Sequence, residues 1–176
     1  MTRVAVMGSG SWGTAFAMIL ADAGGDVVMW GRDEALARQI NDDHVNESYH
    51  PGIRLPAAIS ATTDEADALR DSTLVVLAVP AQSLRDNLAR WRSDLDADSV
   101  LVSLMKGIEI GTTLRMSQVI EEVAEVPAAR VAVVSGPNLA REIALRQPAA
   151  TTVACSDRES AQRLQDACTT DYFRAY

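Results

Sequence analysis

Lysine is nearly missing from this sequence. Fifteen of its sixteen basic residues are arginine, and Lys106 stands alone in "SLMKGIE". Cysteine is scarce as well. Cys155 and Cys168 form no CxxC pair and have no histidine beside them, so they read as two buried, reduced thiols of a cytoplasmic protein. The two histidines, His44 and His50, flank a polar loop and do not by themselves make a metal site. Positive charge is in deficit: 24 acidic residues against 16 basic give a net charge of −8. That balance argues against nucleic acid or an anionic membrane as a partner, so any anionic ligand must be held by a few local donors. No apolar run approaches the ~18–20 residues of a membrane span. The apolar stretch at the N-terminus is too short for the core of a signal peptide.

What is present is a regular alternation. Short β-branched runs at 3–7, 26–30, 58–60, 73–79, 99–104, 130–136 and 150–155 are predicted strands, with a further strand start or edge in "DYFRAY". Between them lie segments of helical period. From Trp12 the apolar positions Ala15, Phe16, Ile19, Leu20 and Ala23 share one face, and Gly24-Gly25 stops the helix. Helices are also expected at 34–40, 64–70 and 83–91, on Leu114–Val123, in "NLAREIAL" and after "SDRE", whose spacing is that of a capping box. Strand–helix alternation forces crossovers. The expected fold is therefore doubly wound α/β, with a mainly parallel, Rossmann-like sheet. At 176 residues the chain suits a single domain over 1–176, and no internal boundary is visible.

In such sheets ligands sit beyond the carboxyl ends of the strands. Gly8, Gly10 and Gly13 have the G-x-G-x-x-G spacing, directly after a predicted strand and at the start of a predicted helix. Gly8 would permit the tight turn, Gly10 the approach of a pyrophosphate, and Gly13 close packing of helix on strand. The amides around Ser11 and Trp12 would face the phosphates at the positive end of that helix. A purely structural glycine turn is the alternative. The second strand ends in "WGRD". Arg32 could stack on adenine or pair with a 2′-phosphate, which favours NADP without excluding NAD; otherwise it is a solvated loop cation. Lys106 follows a buried strand and so falls on the same rim, as does "SGPN" at 135–138. An ammonium there suits a small anionic substrate, the alternative being an ordinary strand-end lysine.

The blocks "GSGSWGTA", "NESYHPGIRLP", "LAVPAQSLR", "SLMKGIE" and "SGPNLAREIA" together resemble the N-terminal domain of bacterial-type NAD(P)-dependent glycerol-3-phosphate dehydrogenases. The resemblance implies that Ser11, Trp12, Arg32, Tyr49, Lys106 and Ala140 contact the dinucleotide, and that Lys106, Gly136 and Asn138 line the substrate site. The implied reaction is reversible hydride transfer between NAD(P)H and dihydroxyacetone phosphate, giving sn-glycerol 3-phosphate for phospholipid synthesis. Two positions depart from the family's usual residues: His50 replaces a leucine, and Asn138 replaces a serine or threonine. The family's helical second domain, with the lysine that handles the carbonyl proton, has no counterpart in this sequence. The isolated chain is thus expected to bind dinucleotide yet turn over negligibly. Lys106 is at most an auxiliary to the chemistry, and a homodimer is an expectation for the full-length protein only. Two other readings stay open. One is a dehydrogenase domain of the 6-phosphogluconate or hydroxyacyl-CoA type, and the other is a dinucleotide sensor without chemistry.

Overall fold

The computed structural model describes residues 3–176. The chain alternates strand and helix in the order β1 (Arg3–Met7), α1 (Ser11–Asp22), β2 (Asp26–Trp30), α2 (Glu34–Asp43), β3 (Ile59–Thr62), α3 (Glu65–Leu69) and β4 (Leu74–Leu77). It continues with α4 (Leu84–Trp91), β5 (Val100–Ser103), α5 (Met116–Ala124), β6 (Val131–Ser135), α6 (Ala140–Ala144), β7 (Ala149–Cys155), α7 (Arg158–Cys168) and β8 (Phe173–Ala175). Short 3₁₀ turns precede α4, follow it, and precede β6.

The eight strands form one sheet in the order β3-β2-β1-β4-β5-β6-β7-β8. All neighbours run parallel except β6 and β7, which are antiparallel. The expected doubly wound, mainly parallel sheet is therefore the one observed. Its central strands carry no polar face. "LVVL" of β4 and "VLVS" of β5 are buried throughout, as helices cover both sides.

Alternate residues of each strand feed two cores. Val4, Val6, Val27, Met29, Val76 and Val102 face α1, α2, α6 and α7, with Phe16 and Ile19 of α1 packed among them. Ala5, Met7, Val28, Trp30, Val75 and Leu77 face α3, α4 and α5, where Trp91 is fully buried. Trp30 meets Trp91 edge to face at 5.0 Å between ring centroids, which stitches the end of β2 to α4. An aromatic ladder Trp12–Phe16–Phe173 runs from the first turn of α1 to β8.

Three local expectations need correction. The last long helix is capped by Asp157, whose carboxylate accepts the Ser160 amide at 2.8 Å, so the cap lies one residue beyond Ser156. The aspartate wins because its charged oxygen binds an amide more strongly than a hydroxyl does. Cys168 is buried as expected, but Cys155 lies on β7 near the sheet's periphery and is only half-buried. β4 stops at Leu77, two residues before the predicted end; the Ala78 amide still donates to the Met7 carbonyl at 3.0 Å, and Ala78 and Val79 then turn along the crevice above β1.

Candidate functional site

The strand order reverses at β1, whose two sides are taken by β2 and β4. In this architecture a crevice opens beyond the carboxyl ends at that point. A cleft of about 600 Å³ lies there, bordered by the glycine loop after β1, the tip of β2, the turn after β4, and Leu104 and Met105 after β5.

The glycine loop is shaped by close backbone contacts. Gly8 has φ +136°, and a Cβ there would sit 2.5 Å from the Ala78 carbonyl oxygen. At Gly13 a Cβ would collide with the Gly8 carbonyl oxygen and press on Ala78. Both positions therefore exclude a side chain, the first through backbone strain and contact, the second through contact alone. Gly10 differs. A Cβ there would meet no protein atom within 4 Å, and the residue lines the cleft. That free volume beside backbone is what a dinucleotide's diphosphate needs. The α1 N-terminus fits the same use, since Gly10 offers no side-chain cap and the first turn has no acidic residue. Its leading amides are left for a ligand, at the positive end of the helix.

At the β2 tip, Arg32 and Asp33 both border the cleft but have different employment. Asp33 caps α2, accepting the Ala35 and Leu36 amides at 2.9 and 3.1 Å. Arg32 is exposed, and its guanidinium has no partner among the described residues. Tyr49 stands half-exposed at the mouth beside Ser48. Gly8, Gly10, Ser11, Trp12, Gly13, Arg32 and Tyr49 are thus gathered around one cavity.

Lys106 is exposed at the cleft's edge, one residue beyond Met105, and its ammonium donates to the Gly136 carbonyl oxygen at 3.0 Å. Gly136 borders a second, shallower depression of about 400 Å³ together with Pro137, Leu139 and Tyr176. Asn138 is engaged in tying the turn to β7: its Nδ2 donates to the Ala150 carbonyl and its Oδ1 accepts the Thr151 hydroxyl. Ala140 opens α6 and packs on the core, outside the lining of either cavity. The loop that carries Lys106 is braced from below. Gln82 donates to the Ile108 carbonyl and accepts the Ile110 amide, each at 2.9 Å. Glu109 is buried and takes two bonds from Arg85, and the guanidinium holds its carboxyl below the usual carboxylate range, with help from the Thr112 hydroxyl.

Several contributing residues carry no motif. Gly31 is needed because a Cβ there would strike the Ser9 hydroxyl. Asn46, His50 and Thr14 are buried polar side chains bound to the glycine loop. Among the described residues no group of three or more histidine, cysteine or acidic side chains could hold a metal, and no helix is long and apolar enough to cross a membrane.

Sheet order, crevice and glycine turn define a Rossmann-like α/β domain of the dinucleotide-binding class. Comparison with known proteins narrows this further. The family description "NAD-dependent glycerol-3-phosphate dehydrogenase N-terminus" matches residues 3–161, and the chain belongs to that family. It is 60% identical over 174 residues to the glycerol-3-phosphate dehydrogenase [NAD(P)+] of Streptomyces griseus, covering 99% of this chain and 52% of that protein. It is 58% identical to the enzyme of that name from Thermobifida fusca, covering 100% of this chain and 53% of that one. The crystal structure of glycerol-3-phosphate dehydrogenase from Coxiella burnetii superposes with a TM-score of 0.91 at 28% identity, over 99% of this chain and 53% of that one. The chain spans about half the length of the curated relatives it matches.

Proposed function

We propose that this chain is the cofactor-binding half of an NAD(P)-dependent glycerol-3-phosphate dehydrogenase, one that interconverts dihydroxyacetone phosphate and sn-glycerol 3-phosphate for phospholipid synthesis. The observation that carries this reading is the cleft itself: unfilled space at Gly10 faces uncapped amides at the start of α1. When bound, the dinucleotide would supply or accept the hydride. The chain's own residues would bind and orient it. The amides of Ser11, Trp12 and Gly13 would hold the diphosphate, and Tyr49 would close the mouth of the cleft. Arg32, unpaired where Asp33 is occupied as a cap, favours NADP over NAD.

Lys106 would present its ammonium to the substrate on the nicotinamide side, exchanging the Gly136 carbonyl for a ketone or phosphate oxygen. Gly136 and Asn138 would form the adjoining wall, with Ala140 near the cofactor. The chain's sole lysine is then fully used as an electrostatic and orienting group, and no second lysine exists to move the carbonyl proton. The isolated chain should therefore bind coenzyme but reduce dihydroxyacetone phosphate negligibly. The complete enzyme is proposed to be a cytoplasmic homodimer.

Isothermal titration of the chain with NADPH and NADH tests the first half of this reading, and an assay of triose phosphate reduction tests the second. Saturable 1:1 binding without turnover is expected. No binding of either coenzyme would overturn the proposal, and efficient turnover would overturn the requirement for a second proton-handling group. Replacing Lys106 with alanine in the complete enzyme separates catalysis from sensing, since a sensor would lose nothing.

A further inference from the structure

The loop between α2 and β3 reaches back to the glycine turn. It is a closed unit: the Leu55 amide donates to the His44 carbonyl, Val45 and Arg54 form an antiparallel bridge, and the His50 amide donates to the Asn46 carbonyl. Glu47 fastens the far side by accepting the Gly52 amide. Two side chains leave this loop inwards, and both are fully buried. Asn46 donates from Nδ2 to the Ser9 carbonyl oxygen at 3.1 Å and to the Thr14 hydroxyl at 2.9 Å, while that hydroxyl donates to the same Ser9 carbonyl at 3.3 Å. His50 approaches the Ser11 carbonyl oxygen through Nε2 at 2.8 Å. A carbonyl can only accept, so Nε2 carries the proton.

These contacts fall on two alternate peptides, Ser9–Gly10 in the glycine turn and Ser11–Trp12 at the start of α1. In a trans peptide the carbonyl and the following N–H point in opposite directions. Pulling the Ser9 and Ser11 carbonyls into the protein therefore turns the Gly10 and Trp12 N–H groups the other way, towards the cleft that both residues line. The Ser11 carbonyl is also held by α1, of which Ser11 is the first residue, and His50 adds to that hold. The Ser9–Gly10 peptide lies ahead of the helix, where glycine would otherwise let it flip and present a carbonyl oxygen to an anion. We propose that Asn46 and His50 are positioning residues of the coenzyme site, which set the polarity of the turn before any ligand arrives. This rests on the dinucleotide reading above and deepens it. The same loop carries Tyr49 at the cleft mouth, so one element aims the amides beneath the diphosphate and shapes the entrance above it.

The test uses the chain itself with NADPH and with adenosine 2′-monophosphate, which keeps the adenine and 2′-phosphate but lacks the bridging diphosphate. His50→Leu removes the donor, whereas His50→Gln restores an N–H at the same number of bonds from the backbone. Asn46→Asp places a carboxylate oxygen against the Ser9 carbonyl. Loss of one such hydrogen bond should weaken NADPH binding about tenfold in His50→Leu, and more in Asn46→Asp. His50→Gln should recover to within about threefold of the parent, the range left when a comparable bond is re-formed. Binding of adenosine 2′-monophosphate, followed by NMR titration, should stay the same in all three. Unaltered NADPH binding in His50→Leu and Asn46→Asp would overturn the proposal, as would equal losses for both ligands or no recovery in His50→Gln. If Asn46→Asp does not fold, the two His50 variants decide alone. Failure of the parent chain to bind NADPH would instead overturn the dinucleotide reading.

Discussion

Removing the Arg32 guanidinium should change which coenzyme the chain prefers. Arg32 is exposed at the tip of β2 and borders the cleft, and among the described residues it forms no ion pair, the neighbouring Asp33 using its Oδ1 to accept two amides of α2. A hydrogen bond to a charged group contributes roughly 1.5–3 kcal/mol. Solvent and salt reduce that at an exposed site, so about 1–2 kcal/mol is the appropriate range. At about 1.4 kcal/mol per factor of ten, Arg32→Ala should weaken NADPH binding about 5- to 30-fold. NADH, which has no 2′-phosphate, should change by about threefold or less, and the NADPH loss should shrink as salt is raised. Asp33→Asn provides the internal control. Asparagine caps a helix about as well as aspartate, so stability should hold, while loss of a negative charge beside the 2′-phosphate should tighten NADPH binding a few-fold. Paired titrations at low and high salt read all of this. Equal losses for NADPH and NADH in Arg32→Ala would refute the assignment of the guanidinium to the 2′-phosphate.

Gly13→Ala drives a methyl group into the Gly8 carbonyl, so it should cost about 1–3 kcal/mol of stability by urea unfolding, as overpacking does, and abolish coenzyme binding. Glu109→Gln should destabilise the chain at neutral pH, because Arg85 loses the more buried of its two carboxylate partners and keeps only Glu122. The carboxyl is held below its ordinary value of 4.5, so its contribution is complete above that pH and is lost as the pH falls through the lower folded value. Urea midpoints of parent and variant should therefore converge in acid; a gap that widened below pH about 4 would contradict the arrangement. Burial pushes the Cys168 thiol up to about 12, whereas Cys155 is half-buried. A thiol reagent at pH 8 should modify one cysteine readily and the second only on unfolding.

How much of this was legible in the sequence depends on how far each interaction reaches along the chain. Gly8, Gly10 and Gly13 act on neighbours a few residues away or on the adjoining strand, so their spacing after "RVAVM" was enough to locate the cleft. Lys106 was readable because it is unique and follows an apolar run that could only be an inner strand. The sheet and its winding followed from alternation alone. Asn46 and His50 were not readable, because their bonds to Ser9, Thr14 and Ser11 join positions 32 to 39 residues apart. No periodicity encodes such a contact, and His50 showed only as a departure from the residue usual in the family. Asn138 was legible as a polar turn residue, yet its amide is committed to β7, which only the fold reveals. The capping-box spacing of "SDRE" marked the start of the last helix to within one residue, but the cap itself is Asp157, whose carboxylate meets the Ser160 amide.

β8 is the last strand of the sheet, joined to β7 on one side only. Its outer margin presents main-chain groups that another extended chain could copy, which is how globular proteins begin to stack into fibrils. Here the exposure is brief, only Phe173–Ala175, and the middle side chain is an outward-facing arginine. Brevity and a fixed cation at the rim together guard against that fate, so a substitution such as Arg174→Val should make the chain clump on warming before its cleft is affected.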